Sequence, residues 1–385
     1  SRAKQQKVEE EKFKAQLEAM TTQLNSVVSS YSPGRSVTVS PAEVELKAPK
    51  TTFEVAVLDG PTETAVERQG HGFQRTILIS ALQLLAQSGA ASADGVICLA
   101  IEEPELFQHP IQAQAFAKVL RSLVEDPDKC IQVTYATHSP YFLEARHFNQ
   151  VRRLTRSADE TPVVSVHCAT IADVKAKLNG IVDADVVDRR LDHNVADQLS
   201  IALFANRAFL VEGTTESSVF YGIGDRTSHG LLEAAGVSIV SVGSKTSIPL
   251  AHAILSAIGV PAYALFDADA GFEARAKAKN KKQEDIDKER NNHATENRKL
   301  LRYFGLPEED FPKASVLNGV AIFEDHLESL LSEKWPEWVA ACTEIEAAAG
   351  ISLAKNQLAY RTATLKAAGA VPEMLQNILA KAEGK

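Results

Sequence analysis

The stretch AFLVEGTTE, from Ala208 to Glu216, decides the fold of this chain. Its first four residues are apolar, as in a buried parallel strand, and Glu212 follows where that strand ends. Gly213 permits a tight turn, and Glu216 comes about one helical turn later, so that both carboxylates can face the same point. A strand that passes through a glycine turn into a helix is typical of an α/β sheet, whose carboxyl edge presents polar residues.

A second acidic segment follows another apolar strand further along the chain. The strand PAYALF, residues 261–266, leads into Asp267, Ala268 and Asp269. Because strand side chains alternate, the two aspartates point the same way, and two neighbouring parallel strands would gather four carboxylates. Such a cluster needs cations or protons, and hard oxygen ligands favour Mg²⁺, Mn²⁺ or Ca²⁺ over zinc. The plainer interpretation is an acidic helix start followed by an ordinary turn.

Three motifs upstream of this sheet point to nucleotide chemistry. Residues 69–75, QGHGFQR, open a helix whose glycines let backbone N–H groups approach a phosphate. The strand at 96–101 ends in two glutamates, which can hold Mg²⁺ through water and orient an attacking water. The strand at 131–136 is followed by a histidine that can face a γ-phosphate. Each motif alone is also explained by a plain turn. The candidate nucleotide-site residues are Gly70, Gly72, Gln74, Glu102, Glu103 and His138.

In this order the motifs resemble the signature motif, Walker B, D-loop and switch histidine of ABC-type ATPases, over about residues 36–155. Glu102 stands where those proteins usually have aspartate. No GxxxxGK[ST] phosphate loop occurs in the chain. We therefore expect the chain to be a fragment of a longer protein that binds ATP only at full length.

VEGTTE followed by LFDADAG resembles the Toprim domain, which topoisomerases, primases and some nucleases share. An ABC ATPase followed by Toprim resembles the OLD (overcoming lysogenization defect) family of nucleases. That resemblance implies that the four carboxylates bind metal and take part in catalysis: Glu212, Glu216, Asp267 and Asp269. Residues 320–327, VAIFEDHL, resemble a later element of the family and make Glu324 a further metal-ligand candidate. An acidic helix start at Phe323 explains Glu324 equally well.

The resemblance also implies a catalytic lysine near the C-terminal end of the chain, which would stabilise charge in the transition state. We prefer Lys366, which precedes a glycine–proline stretch, over Lys355, although either could be an ordinary surface lysine. The segment SVGSK, residues 241–245, could place Lys245 near a scissile phosphate, but a plain strand-to-helix turn is favoured. The segment from Arg275 to Arg302 contains ten Lys/Arg and five Asp/Glu. A solvated helix is the favoured interpretation there, and phosphate contact is the alternative.

Composition limits the class of protein. The chain has 385 residues, 45% of them hydrophobic and 24% charged, and the net charge of −9 does not exclude a local DNA-binding face. No apolar run is long enough to cross a membrane, so we expect a cytoplasmic protein. The four cysteines show no CxxC spacing and are expected to be reduced core residues, neither disulfides nor zinc ligands.

We predict an α/β fold: the C-terminal part of an ABC-type ATPase with a helical arm, followed by a Toprim domain with a Rossmann-like parallel sheet and then C-terminal helices. The predicted regions are a helical arm at 1–35, the ATPase part at 36–165, a connector at 166–205, the Toprim catalytic domain at 206–330 and a helical region at 331–385. Within them, the apolar patterns predict strands at 36–46 and 237–241 and helices at 111–124, 216–221 and 248–257.

The predicted function is a metal-dependent endonuclease that nicks and cuts double-stranded DNA through a two-metal site. Mg²⁺ or Mn²⁺ would support the reaction, Ca²⁺ would occupy the site without turnover, and the N-terminal arm suggests a homodimer. One alternative is a topoisomerase or primase, although no tyrosine lies in a recognisable context and the cysteines supply no zinc module. The other is a non-catalytic, ATP-gated DNA clamp or scaffold.

Overall fold

The computed structural model describes residues 13–16, 18–19, 21–22, 56–59, 61–74, 77–78, 81, 96–127, 130–157, 160–193, 197–350 and 356–385. The chain divides into two compact units, residues 1–70 and residues 71–385.

The first unit contains a short antiparallel hairpin of β1 (Ala56–Asp59) and β2 (Thr62–Ala65). A single 3₁₀ turn, Val66–Arg68, follows it. Of the predicted arm at 1–35, residues 13–16, 18–19 and 21–22 are helical, and the remainder lies outside the described residues. The strand predicted at 36–46 also lies outside them.

The described residues of the second unit contain the remaining strands, which form three separate sheets. They are β3 (Ile97–Glu102), β4 (Ile131–Ala136), β5 (Arg153–Arg156), β6 (Val164–His167), β7 (Arg207–Val211), β8 (Val237–Ser241), β9 (Ala262–Asp267), β10 (Ser315–Val316) and β11 (Val320–Phe323).

Helices surround these sheets. They are α1 (Pro110–Glu125), α2 (Ile171–Lys177), α3 (Ala184–His193), α4 (Asp197–Ala202), α5 (Thr214–Thr227), α6 (Leu231–Ala234), α7 (Ile248–Ala257), α8 (Phe272–Ala278), α9 (Gln283–Tyr303), α10 (Leu327–Lys334), α11 (Pro336–Ala349), α12 (Gln357–Lys366) and α13 (Glu373–Glu383). None of the described helices combines the length and the apolar character that crossing a bilayer requires.

The upstream part of this unit is a strand–helix–strand motif. β3 and β4 pair in parallel, and α1 packs on them through Phe116 and Leu120. A parallel pair with a crossover helix is the arrangement that the sequence alternation predicts.

The downstream part is built on a five-stranded sheet in the order β10-β11-β9-β7-β8. Its four long strands are parallel, and β10 runs antiparallel at the edge beside β11. Side chains alternate between the two faces of the sheet, as the period of a strand requires. Ala208 and Leu210 face a core formed with α7 and the connector, whereas Phe209 and Val211 face a core formed with α5 and the C-terminal helices.

This topology brings the predicted acidic segments together. Because β7, β9 and β11 are parallel neighbours, their carboxyl ends meet at one edge of the sheet. The loops after β9 and β11 are tied together by backbone hydrogen bonds, from Ala268 N to Phe323 O at 2.8 Å and from Ala270 N to Glu324 O at 2.9 Å. The segments that carry the predicted acidic residues are therefore held side by side.

The cysteines differ from the expectation that they lie in the core. Cys98, Cys130 and Cys168 are exposed, Cys342 is half-buried, and all four are free. Cys98 lies on β3, on the face opposite α1, which explains why a strand cysteine remains accessible. The boundaries predicted for the five regions stay predictions.

Candidate active site

Glu212 links the ends of three strands. Its carboxylate follows β7 and accepts a hydrogen bond from Asp267 N at 2.8 Å, at the end of β9. The other oxygen accepts from Lys245 N at 3.2 Å, in the turn after β8. Burial raises the pKa of Glu212, and the neighbouring charges of Asp269 and Glu216 act in the same direction. One glutamate therefore fixes the relative positions of the loops that form the site.

Asp267 is the least satisfied carboxylate in the site. Its Oδ1 is buried and receives no hydrogen bond from any group in the described part of the chain. Burial raises the pKa of Asp267, and the negative charges of Glu212, Glu216 and Asp269 raise it further. A buried carboxylate without a donor is costly unless a proton or a cation joins it.

Asp269 has the opposite environment, although one residue separates it from Asp267. Its Oδ2 lies 2.6 Å from Lys245 Nζ and 3.1 Å from His293 Nδ1, and its Oδ1 lies 3.5 Å from Arg275 Nη2. Burial alone would raise the pKa of Asp269, but the contacts with His293 and Lys245 lower it. Its backbone has a φ of 57°, an uncommon conformation outside glycine that aspartate tolerates better than most residues.

Glu216 lies in the first turn of α5, where a helix N-terminus favours negative charge. Its side chain is buried, and Oε2 accepts a hydrogen bond from Gly213 N at 3.0 Å. Burial raises the pKa of Glu216, and the charge of Glu328 contributes to the increase. The structure thus brings the four carboxylates predicted from the sequence to one edge of the sheet.

Lys245 is the lysine that lies among these carboxylates. It begins a short 3₁₀ turn after β8 and is 4% exposed. Its Nζ donates to Asp269 Oδ2 at 2.6 Å, to Asp267 O at 3.0 Å and to Asn297 Oδ1 at 3.2 Å. The interpretation of this segment as a plain turn therefore missed a buried cation, because nothing local indicates that the turn faces the end of β9.

Glu324 does not join the group through its side chain. The residue is exposed, and only its backbone carbonyl contacts the loop after β9. Its neighbour Asp325 turns inward: Oδ1 accepts from Gly271 N at 3.1 Å, and Oδ2 accepts from Arg275 and from Ser329 Oγ. Burial would raise the pKa of Asp325, but the hydrogen bonds from Arg275 and Ser329 lower it to about 2.

Lys366 lies apart from the group. It is exposed at the end of α12, beside the last turn of α5, where Arg226 Nη1 donates to Ala367 O. Glu216 lies in the first turn of α5, about 15 Å away along the helix axis from Arg226. The structure gives the role predicted for Lys366 no geometric support, and Lys355 lies outside the described residues.

The nucleotide-site candidates of the second unit cluster loosely. Glu102 ends β3, Glu103 follows it, and His138 Nε2 lies 3.9 Å from Glu103 Oε1. Glu105 ties the loop after β4 to the loop after β3, because it accepts from Thr137 Oγ1 and from His138 N, both at 2.8 Å. Gly72 and Gln74 begin a helix whose first residue, His71, stacks on Phe107 at 4.3 Å between ring centroids. Gly70 ends the first unit.

The donor set matches a hard divalent cation in its chemistry. The side-chain ligand atoms at this edge are carboxylate oxygens, and Asp267 Oδ1 lacks a donor among the described residues. As the side chains stand, no group of three or more His, Cys, Asp or Glu within the described residues could hold a metal ion. Among these carboxylate oxygens, Oδ2 of Asp269 is already paired with Lys245.

Sequence reasoning missed three residues that the structure brings to this site: Arg275, His293 and Asn297. They lie on α8 and α9, within the segment that the sequence presents as a solvated charged helix. Much of that segment is paired on the surface: Arg290 with Glu273 and Arg302 with Glu308, each at 2.7 Å. The sequence does contain a signal for Asn297, which is a polar residue between the apolar positions Ala294 and Leu300 on the buried stripe of α9.

Comparisons with known proteins match two parts of the chain. Residues 2–143 match the family described as AAA ATPase domain. Residues 203–269 match the family described as overcoming lysogenization defect protein-like, TOPRIM domain. The chain therefore joins an AAA ATPase region to an OLD-like TOPRIM domain, which confirms the fold class predicted from the sequence.

Curated relatives identify the group more closely. The chain is similar to the Old nuclease of Escherichia phage P2, at 28% identity over 214 residues, 55% of this chain and 35% of that protein. It is also similar to the OLD nuclease of Thermus scotoductus, at 29% identity over 52% of this chain and 35% of that protein. The endonuclease GajA of Bacillus cereus is 26% identical over 44% of this chain and 26% of its own length. The chain is homologous to the OLD nucleases, and it spans about a third of the length of the first two relatives.

Proposed function

We propose that the carboxylate edge of the five-stranded sheet is a divalent-metal site that hydrolyses phosphodiester bonds of double-stranded DNA. In the parent protein this endonuclease site would be coupled to the ABC-type ATPase. The relatives that match the chain are nucleases by name, and their similarity supports the same activity here.

The observation that carries the proposal is the state of Asp267. Its buried Oδ1 has no donor among the described residues, and it lies among the charges of Glu212, Glu216 and Asp269. A structural carboxylate would ordinarily be paired with hydrogen-bond donors. A buried carboxylate without a donor, at the carboxyl edge of a parallel sheet, is what we expect of a metal ligand in an active site.

Glu212, Glu216, Asp267 and Asp269 would hold the ions, with Mg²⁺ or Mn²⁺ supporting the reaction and Ca²⁺ binding without turnover. Two divalent ions held there would supply positive charge that offsets the negative charge of the phosphate and of the leaving oxygen. The protein orients these ligands: Gly213 N fixes Glu216, and Asp267 N with Lys245 N fixes Glu212.

The experiment incubates the full chain with supercoiled plasmid and Mg²⁺ or Mn²⁺, without ATP. We expect nicked and linear DNA from the wild type, and a loss of at least about a hundredfold in rate for Asp267→Asn and Glu212→Gln. Glu308→Gln is the matched control, because Glu308 is a carboxylate paired with Arg302 on the surface. The control should cut like the wild type.

The same assay separates the alternatives. Relaxed, covalently closed product would indicate a topoisomerase, and the absence of any reaction with either metal would favour the clamp or scaffold. Cleavage that survives both active-site substitutions would contradict the proposal, because the hydrolysis would then take place elsewhere.

A further inference from the structure

The DxD pair is asymmetric in its contacts. Both oxygens of Asp269 lie near nitrogen atoms of other side chains: the Lys245 ammonium and the His293 ring at Oδ2, and the Arg275 guanidinium at Oδ1. Asp267 Oδ1 has no such neighbour among the described residues. A cation that approached the pair would therefore meet an unoccupied oxygen at Asp267 and an occupied one at Asp269.

Lys245 makes the shortest of the three contacts with Asp269, and its side chain is buried. Its Nζ lies 2.6 Å from Asp269 Oδ2, and the side chain is 4% exposed. The ammonium has three protons, and Asp269, the Asp267 carbonyl and Asn297 accept one each. Lys245 is thus fully satisfied inside the carboxylate cluster and has no proton left for a substrate phosphate.

The surroundings hold the ammonium in this place. Asn297 is fully buried, and its Nδ2 donates to Ala268 O at 2.9 Å and to Asp310 O at 2.8 Å, which orients Oδ1 towards Lys245. Arg190 of α3 donates to Thr246 O at 2.6 Å and secures the turn that carries the lysine. A surface lysine would lose its ion pair to solvent, whereas this one is fixed from two sides.

We propose that Lys245 is an internal counter-cation that competes with a divalent metal ion for the carboxylate of Asp269. The inference rests on the proposed function, since it concerns an ion bound by the same carboxylates. Lys245 neutralises the cluster when the ion is absent, and its ammonium has to leave Oδ2 of Asp269 before a second positive charge can use that oxygen. Lys245 is accordingly a positioning residue, which sets the affinity of the site for metal.

Competition makes an unusual prediction about the direction of change. Replacing Lys245 by methionine retains most of the side-chain volume and removes the charge. If the lysine only supported the fold, the Lys245→Met variant would bind metal more weakly. If it competes, the freed oxygen and the additional net negative charge make binding tighter, by about tenfold, which lies within the usual range of coupling between two sites.

The test measures the dissociation constant of Mn²⁺ for the full chain from the electron paramagnetic resonance signal of free Mn²⁺. Lys245→Met is compared with the wild type and with Lys281→Met, a matched control that removes a lysine paired with Glu289 at 2.7 Å on the surface. We expect tighter binding for Lys245→Met alone. Melting curves should show lower stability of this variant without metal and a larger gain on adding Mn²⁺, because an ion that binds the folded state stabilises it.

A double-mutant cycle guards against a variant that folds poorly. In an Asp269→Asn background the contested carboxylate charge is gone, so adding Lys245→Met should leave the Mn²⁺ affinity unchanged. The double variant, which lacks both charges, should also be more stable than Lys245→Met alone, which leaves the Asp269 charge without its partner.

The outcomes separate the two proposals. If the wild type binds Mn²⁺ and Lys245→Met binds it equally or more weakly, the competition is refuted while the metal site stands. If Lys245→Met tightens binding to the same extent with and without Asp269, the lysine acts by long-range charge and the inference is wrong. If neither the wild type nor Lys245→Met binds Mn²⁺ saturably, the chain has no such metal site and both proposals are wrong.

Discussion

At the scale of single residues, the structure distinguishes a buried carboxylate that lacks a donor from a carboxylate that is paired with one. Asp325 is paired with Arg275 and Ser329, and its pKa is lowered to about 2. Asp267 has a buried oxygen without a donor among the described residues, and its pKa is raised. Residue type alone does not separate these two aspartates, because the difference lies in the neighbours that folding brings to each.

The raised pKa values predict how stability depends on pH. Glu212 and Asp267 have higher pKa values in the folded chain than in the unfolded chain, where carboxyl groups have pKa values of about 4. The folded state therefore binds protons more tightly. This proton binding stabilises the fold fully below the unfolded pKa, and the stabilisation is lost as the pH rises through the folded pKa values of the two groups. We expect the metal-free chain to melt at progressively lower temperatures as the pH increases from about 5 to about 9.

A divalent cation should reverse this trend, because it binds the deprotonated carboxylates that the pH rise creates. The increase in melting temperature on adding Ca²⁺ should therefore grow with pH across the same interval. The Asp267→Asn variant is the control, and both its pH dependence and its Ca²⁺ effect should be smaller. A Ca²⁺ effect that is constant with pH, or that falls as the pH rises, would contradict the assignment of these two groups.

At the scale of elements, local pattern predicts most of the downstream sheet. The strand predicted at Val237–Ser241 and the helix predicted at Ile248–Ala257 are confirmed with the same bounds. These segments are apolar and end at turn residues, so local signals and tertiary packing agree. The lysine of the site could not be predicted in this way, because Lys245 reaches Asp269 only after β8 and β9 take their places around β7.

The helix α5 shows where local signals mislead. The sequence predicts a helix at residues 216–221, but the helix continues to Thr227 through Gly222 and Gly224. Glycine is a poor helix former, so the helical pattern in the sequence ends before them. Tertiary packing explains their presence: a Cβ on Gly222 would lie 2.6 Å from Thr364 Cβ and 2.8 Å from Arg361 O on α12. The glycine lets α5 and α12 approach closely.

This contact predicts that Gly222→Ala destabilises the chain, although alanine favours helices. Two backbone-close clashes outweigh the gain in helix propensity, and overpacking of this kind costs about 1–3 kcal/mol. Denaturant unfolding of the full chain measures the change. Gly319→Ala is the matched control, because the nearest atom to its Cβ is Phe304 Cδ1 at 3.9 Å. Equal effects of the two substitutions would show that α5 and α12 do not pack as closely as described.

At the scale of the whole second unit, the predicted regions share one core. Phe148 lies in the predicted ATPase part, Leu178 in the connector and Leu210 in the Toprim domain, and all three belong to a single cluster of buried side chains. Arg153 adds polar links across the same boundary, donating to Gly259 O at 2.7 Å and to Ala205 O at 3.0 Å. Sequence segmentation does not reveal such a core, because the predicted ATPase part contributes only Ala145 and Phe148 to this buried cluster.

A shared core predicts that a core substitution on one side of a predicted boundary destabilises elements on the other side. Phe148→Ala should cost about 3–5 kcal/mol, the usual range for deleting a buried aromatic ring. Because Phe148 packs in the same cluster as Leu210 and Ala264, amide hydrogen exchange should accelerate in β7 and β9. Phe116→Ala is the matched control: Phe116 is equally buried, but it belongs to a separate cluster on α1. The control should accelerate exchange around β4 and leave β7 and β9 protected. If Phe148→Ala leaves their exchange unchanged, the sheet that carries the carboxylates unfolds independently of the upstream region, and a change there would have no route through this core to the site.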